Sequence, residues 1–197
     1  MTKEEILSIF KQTSALLEGH FQLTSGLHSP QYFQCARVLQ YPRRAAELCG
    51  IIADHLRDFR IDAVIAPALG GIVVGQEVGR QLGARAMFAE RKEGTMQLRR
   101  GFEIKNGERI LVCEDVVTTG GSVRDVIDIV QKHGGSVVGV GAIVDRSGGK
   151  MNFDNLFAVV TLDVVTYQAS ECPLCQKGIP FDKPGSRESN AIVRTRD

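Results

Sequence analysis

No stretch of this chain is apolar for the roughly 20 residues that a bilayer-spanning helix requires, so the sequence offers no membrane segment. An excess of one charge is missing too. Against 24 Lys and Arg stand 23 Asp and Glu, a formal net charge of +1, and that balance provides no general surface for nucleic acid or anionic lipid. Cysteine is scarce and odd in number: Cys35, Cys49, Cys113, Cys172 and Cys175. A disulfide framework uses an even set. Reduced thiols are expected, with Cys49 and Cys113 as small buried hydrophobes in a helix and a strand pattern. Repeats and low-complexity linkers are lacking. The N-terminal MTKEEILSIF is charged and amphipathic rather than a signal h-region, and a cytoplasmic protein is expected. What remains, 43% hydrophobic and 24% charged residues over 197 positions, suffices for one ordinary domain with a real core.

The pattern along the chain is mostly alternating. Thr2 and Glu5 fit a capping box, with Ile6, Ile9, Phe10, Leu16 and Leu17 as a helical stripe. Residues 19–39 are rich in Ser, Thr, Gly, Gln and aromatics, and read as two short strands joined by a turn at 25–30. Pro42 opens a helix whose apolar face is Ala45, Leu48, Cys49, Ile52 and Leu56. Strands are then expected at 62–67, 84–91, about 101–105, 109–114, 136–145 and 156–165. Helices follow 67–71 and 118–122, and Asn106-Gly107 gives a hairpin-type turn. Continuous Val/Ile/Ala-rich strands alternating with helices predict an α/β fold, a parallel sheet covered on both faces. The expected division is an N-terminal helix and hood segment at 1–41, an α/β core at 42–165 and a C-terminal extension at 166–197 that packs on the core or hood.

The chemistry should lie beyond the carboxyl ends of the strands, where open parallel sheets bind ligands. Three loops gather there: PALGG (67–71), EDVVTTGGS (114–122) and DRSGG (145–149). In the middle loop, small residues precede a helix. Its N–H groups can approach an anion and the helix dipole favours negative charge, with the hydroxyls of Thr118, Thr119 and Ser122 as further donors. A P-loop lysine is absent, so the loop reads as a monophosphate cradle. Glu114 and Asp115 stand just before it. As acceptors they suit hydroxyls, such as a ribose diol, or a metal hydrated by the ligand. Phosphate beside a diol describes a ribose 5-phosphate. Two solvated acids and a turn would be the plainer reading, but the complete order of apolar strand, acids, hydroxyls, glycines and amphipathic helix favours a ligand.

VCEDVVTTGGSV (112–123) resembles the phosphoribosyl pyrophosphate (PRPP) motif of type I phosphoribosyltransferases. LTSGLHSPQYFQ (23–34) resembles the hood segment of the orotate-specific family, and ERKEG (90–94) and VDRSGG (144–149) fall where that family has its loop cations and orotate-binding arginine. The resemblance implies the type I phosphoribosyltransferase fold with a small hood, and the reaction of orotate with PRPP to give orotidine 5′-monophosphate and pyrophosphate. It also implies Mg²⁺ held mainly by PRPP and water, and a homodimer. By the same resemblance, Glu114 and Asp115 would hold the ribose hydroxyls and act catalytically together with Arg91 and Lys92. Val116, Val117, Thr118, Thr119, Gly120, Gly121 and Ser122 would complete the PRPP site with Arg91, Lys92, Arg99 and Arg100. Thr118, Arg146, Ser25, Tyr32 and Phe33 would meet orotate. Family members often carry a lysine where this chain has Leu69 and Gly70, and Arg99 and Arg100 would supply missing charge. Residues 92–100 are expected to form a mobile lid that serves a neighbouring subunit.

Two other readings stay open: a phosphoribosyltransferase for another base, and a PRPP-binding regulator without turnover. CPLC (172–175) is half a zinc site. A whole one would need distant histidines or a second copy of the chain, and a reduced, metal-free turn is expected. His20 and His28 are expected to be solvated or structurally hydrogen-bonded.

Overall fold

The computed structural model describes residues 1–23 and 25–184. Helix α1 (Lys3–Gln12) starts on the expected reciprocal cap: Glu5 N–H donates to the Thr2 hydroxyl at 3.2 Å, and Thr2 N–H donates to the Glu5 carboxylate at 2.7 Å. Ile6, Ile9 and Phe10 are its buried face. Leu16 and Leu17 do not extend that stripe; they begin β1 (Leu16–Gln22), because the helix stops at Gln12 and Ser14 turns the chain at φ 53°. Strand β2 (His28–Phe33) pairs antiparallel with β1. The joining turn is earlier than 25–30: Leu23 N–H bonds to the Leu27 carbonyl at 2.8 Å with Gly26 at φ 82°, so His28, Ser29 and Pro30 belong to the strand.

The core follows as α2 (Ala36–Leu39), α3 (Pro42–Leu56), β3 (Ala63–Pro67), α4 (Gly70–Leu82), β4 (Arg85–Lys92), β5 (Thr95–Leu98), β6 (Arg109–Val117), α5 (Gly121–Lys132), β7 (Ser136–Asp145), β8 (Leu156–Thr161) and the single turn α6 (Pro173–Gln176). Six strands form one sheet in the order β5-β4-β3-β6-β7-β8, parallel except for β5. Alternation along each strand feeds two cores. Val64, Ala66, Leu111 and Cys113 pack with α3 and α4, whereas Ala63, Ile65, Ile110 and Val112 pack with α5. Glycines let α4 lie close on the sheet: a Cβ at Gly75 would stand 2.9 Å from Ala66 Cβ, and one at Gly79 would stand 3.1 Å from Ala86 Cβ. From β3 the chain runs outward to β4 on one side, then crosses to β6 on the other. The switch point of the sheet therefore lies between β3 and β6, where a crevice opens for ligand.

Two expectations change. Residues 101–105 form no strand; the Asn106-Gly107 turn is present, closed by Glu108 N–H to the Lys105 carbonyl at 3.0 Å, but the hairpin lies earlier, where β4 and β5 join through Glu93 and Gly94 at φ 52° and 82°. Both central residues have positive φ, as in a type I′ turn. Most of the segment 92–100 thus forms the end of a sheet-edge hairpin. Met96, only 7% exposed, anchors it in the α5-side core. Strand β6 also runs on to Val117, so Glu114 and Asp115 lie within it rather than at its end.

The described part of the C-terminal extension lies against the hood hairpin. Tyr167 and His28 exchange backbone hydrogen bonds at 2.8 and 2.9 Å, Asp182 N–H donates to the His20 carbonyl at 2.8 Å, and Gln22 N–H donates to the Asp182 carbonyl at 2.8 Å. Residues 185–197 of that expected unit lie outside the described residues.

Candidate active site

At the switch point, Glu114 is buried at 7% exposure. Asp115 N–H donates to Glu114 Oε1 at 3.1 Å, and Val116 N–H donates to Asp115 Oδ1 at 2.8 Å. Burial, then the charge of Asp115, pushes the Glu114 carboxyl up to about 9. From the other side the start of α4 closes in. A Cβ at Gly70 would fall 2.4 Å from Asp115 Oδ2, and one at Gly71 would fall 3.2 Å from Glu114 Oε1. The two glycines thus make room for the acid pair. Leu69, 84% exposed, points to solvent.

Beyond the acids, Thr118 and Thr119 leave the strand, and Gly120 turns at φ 72° into α5. A side chain at 120 would collide with Phe153, whose Cζ would be 2.7 Å from the added Cβ. Among the described residues no side chain caps this helix start, so N–H groups of its first turn are free to meet an anion. Arg124 secures the loop from behind. Its guanidinium donates to the Thr119 carbonyl at 2.8 Å and lies over the Phe153 ring at 5.3 Å. The linear pattern does not single out Arg124, which reads there as one more solvated helix cation.

Strand β7 delivers the arginine. Asp145 pairs with Val117 across the ladder, and Arg146 N–H donates to the Val117 carbonyl at 2.8 Å. Arg146 therefore stands beside the threonine loop. A cleft of about 960 Å³ brings it together with Ser25 and Tyr32 of the hood and with Thr118 and Thr119. Among the described residues, Arg146 Nε is buried without a hydrogen-bond partner. Burial lowers the guanidinium pKa from its very high ordinary value, but an arginine keeps its charge in a protein. A planar guanidinium beside a polar cleft has the geometry to fork onto a planar anion. Lys150, Thr161 and Asp163 also line the cleft. Lys150 was legible as a basic residue just past DRSGG; the other two carry no local signal.

Two expected groups lie elsewhere. The Phe33 ring turns into the core and packs edge-on against Phe10 at 4.7 Å. Arg91, Lys92, Arg99 and Arg100 do not line this cleft, and neither do Glu114, Asp115 and Ser122, which lie outside its lining. Arg91 bonds to Asp125 of α5 at 2.5 Å, and Arg99 and Arg100 hold Glu90 at 3.2 and 3.0 Å.

An open parallel sheet that sets an anion loop beside two acids at its switch point is a sugar-phosphate-binding fold. The phosphoribosyl transferase domain model matches residues 35–172. An orotate phosphoribosyltransferase of Chlorobaculum parvum is 58% identical over 97% of this chain and 99% of its own length, and one of a Thermoanaerobacter species is 56% identical over 95% and 100%. Among solved structures, orotate phosphoribosyltransferase from Aeropyrum pernix has a TM-score of 0.67 at 27% identity, covering 80% of this chain and 93% of that one. With such matches along nearly its whole length, the chain belongs to the orotate phosphoribosyltransferases of the phosphoribosyltransferase family. Among the described residues no helix is long and apolar enough to cross a membrane.

Proposed function

We infer that the protein joins orotate to the ribose 5-phosphate of PRPP, releasing pyrophosphate and forming orotidine 5′-monophosphate for pyrimidine nucleotide synthesis. The observation that carries this reading is the cleft in which half-buried Arg146, hood residues and the threonine loop converge. Beside it, the backbone of 118–122 and the hydroxyls of Thr118, Thr119 and Ser122 hold the 5-phosphate. Asp115 and Glu114 accept from the ribose hydroxyls. Arg146 forks onto the orotate anion, and Ser25 and Tyr32 cover it. As the C1–pyrophosphate bond breaks and the bond to the ring nitrogen forms, positive charge grows on the ribose, and the Asp115 carboxylate favours that charge.

The acid pair fits a hard cation, since it presents only carboxylate oxygens and Glu114 is otherwise driven to keep its proton. When bound with PRPP, Mg²⁺ neutralises the pyrophosphate. The chain adds Arg91, Lys92, Arg99 and Arg100. Arg91, Arg99 and Arg100 are held by Asp125 and Glu90 at the sheet edge, and in a homodimer the β4–β5 hairpin of one subunit would serve the other.

The test is consumption of orotate with PRPP and Mg²⁺, run beside adenine, hypoxanthine and uracil. Turnover of orotate alone is expected. Turnover of a purine in its place, or PRPP binding without any turnover, would refute the reading.

A further inference from the structure

Outside the lining of the cleft, four side chains that could ligate a metal meet between the hood and the C-terminal extension. His20 comes from β1, His28 from β2, and Cys172 and Cys175 from the α6 turn, with their ligand atoms all within 4.8 Å of one another. We propose that they form a structural site for a zinc-type divalent cation, which staples the C-terminal extension to the hood.

Several of the spacings are close to those of a tetrahedral shell. Bonds of about 2.0–2.1 Å to nitrogen and 2.3 Å to sulfur give ligand–ligand edges of about 3.3–3.8 Å. Cys172 Sγ and Cys175 Sγ lie 3.5 and 3.7 Å from His20 Nε2, and Cys175 Sγ lies 3.2 Å from His28 Nδ1. The two imidazole nitrogens are closer, at 2.8 Å, and open by about half an ångström around an ion.

Local structure aims each ligand. The bulge between Glu18 and Phe21 puts His20 on the same hairpin face as His28. Pro173 starts α6 and brings Cys175 round to Cys172 at a spacing of three. Gly178, at φ 68°, then returns the chain so that its N–H bonds to the Cys175 carbonyl at 2.9 Å. His20 Nδ1 lies 2.7 Å from the Ile179 carbonyl. A carbonyl only accepts, so Nδ1 carries the proton and Nε2 offers its lone pair to the cluster, the arrangement that orients metal-binding histidines.

Burial indicates why the site is needed. Cys172 is the one buried residue in 166–184, and Ile179 and Phe181 remain 43% and 41% exposed. An apolar core does not hold this segment down, whereas His20 and His28 are 4% and 2% exposed. A bound cation satisfies two thiolates and two imidazoles at once and replaces the missing core. Both histidines belong to the hairpin that carries Ser25 and Tyr32 to the cleft, so the staple also steadies the hood.

The test uses the full-length chain, expressed with zinc and dialysed against metal-free buffer. Elemental analysis is expected to find one zinc per chain. Removal by a strong chelator should expose two further thiols to a thiol reagent and lower Tm. Refilling with Co²⁺ should give the visible bands of tetrahedral, thiolate-bound cobalt. Cys175→Ser and His28→Asn should lose the cation, and His55→Asn, an exposed control, should keep it. If a ligand variant fails to fold, the cobalt spectrum of the wild-type chain still decides. Wild-type protein without metal whose Cys172 and Cys175 react at once, or a chain lighter by two hydrogens through a Cys172–Cys175 disulfide, would overturn the proposal.

Discussion

Gly70 and Asp115 occupy one space: a single methyl group added to the glycine would stand 2.4 Å from the acid's Oδ2. Gly70 is the first residue of α4, a position where alanine suits a helix better than glycine by up to about 1 kcal/mol. Gly70→Ala is therefore predicted to fold with Tm near that of the wild type while pushing Asp115 off its ribose partner. Loss of one charge-assisted hydrogen bond costs about 1.5–3 kcal/mol, roughly a ten- to hundredfold fall in kcat/KM. Asp115→Asn should fall at least as far. Steady-state kinetics beside a thermal melt check both; an active Gly70→Ala would mean that Asp115 is free to move without cost.

Arg146→Ala is predicted to raise KM for orotate by a similar factor and KM for PRPP far less. Arg146→Lys should recover little, because an ammonium is a point charge and cannot present the planar fork. A loss confined to PRPP would reverse the orientation assigned to the cleft.

Glu114 makes stability depend on pH. Its carboxyl, ordinarily near 4.5, is raised to about 9 by burial first and Asp115 second. The folded chain holds this proton more tightly than the unfolded chain. The stabilisation it brings is complete below about 4.5 and is lost as pH rises toward about 9. Relative to Glu114→Gln, which cannot ionise, the wild type should lose denaturant resistance steadily over that window. Parallel curves for the two proteins would remove Glu114 as the cause.

The hairpin cations can be assigned to a subunit by mixing. One variant lacks Asp115 (Asp115→Asn), and the other replaces Lys92, Arg99 and Arg100 with alanine. Arg99 and Arg100 pair with Glu90 at the surface, so the triple variant is expected to fold normally. If the hairpin serves the partner's site, co-refolding should restore up to about a quarter of wild-type activity. Half the dimers are then mixed, and each mixed dimer has one complete site. Two folded, dimeric variants that restore nothing together would place the hairpin at its own chain's site.

Local order along the chain determined much of this protein by itself. The alternation of apolar strands with amphipathic helices was legible because burial on a sheet face and on a helix face imposes periods of two and 3.6. The run from Ile110 to Val123 was legible because anion binding needs small residues directly before a helix. Tertiary structure alone decided which distant residues meet. Met96 and the Glu93-Gly94 turn paired residues 92–98 into the sheet edge, a pairing that composition left open. Asp115 filled the space over Gly70, and Arg124 reached back to Thr119. His20 met Cys172 across 152 positions of sequence. A pair so far apart leaves no periodic trace, since neither residue constrains its own neighbours. Only the packing of the extension onto the hood turns half a zinc motif and two unremarkable histidines into a single cluster.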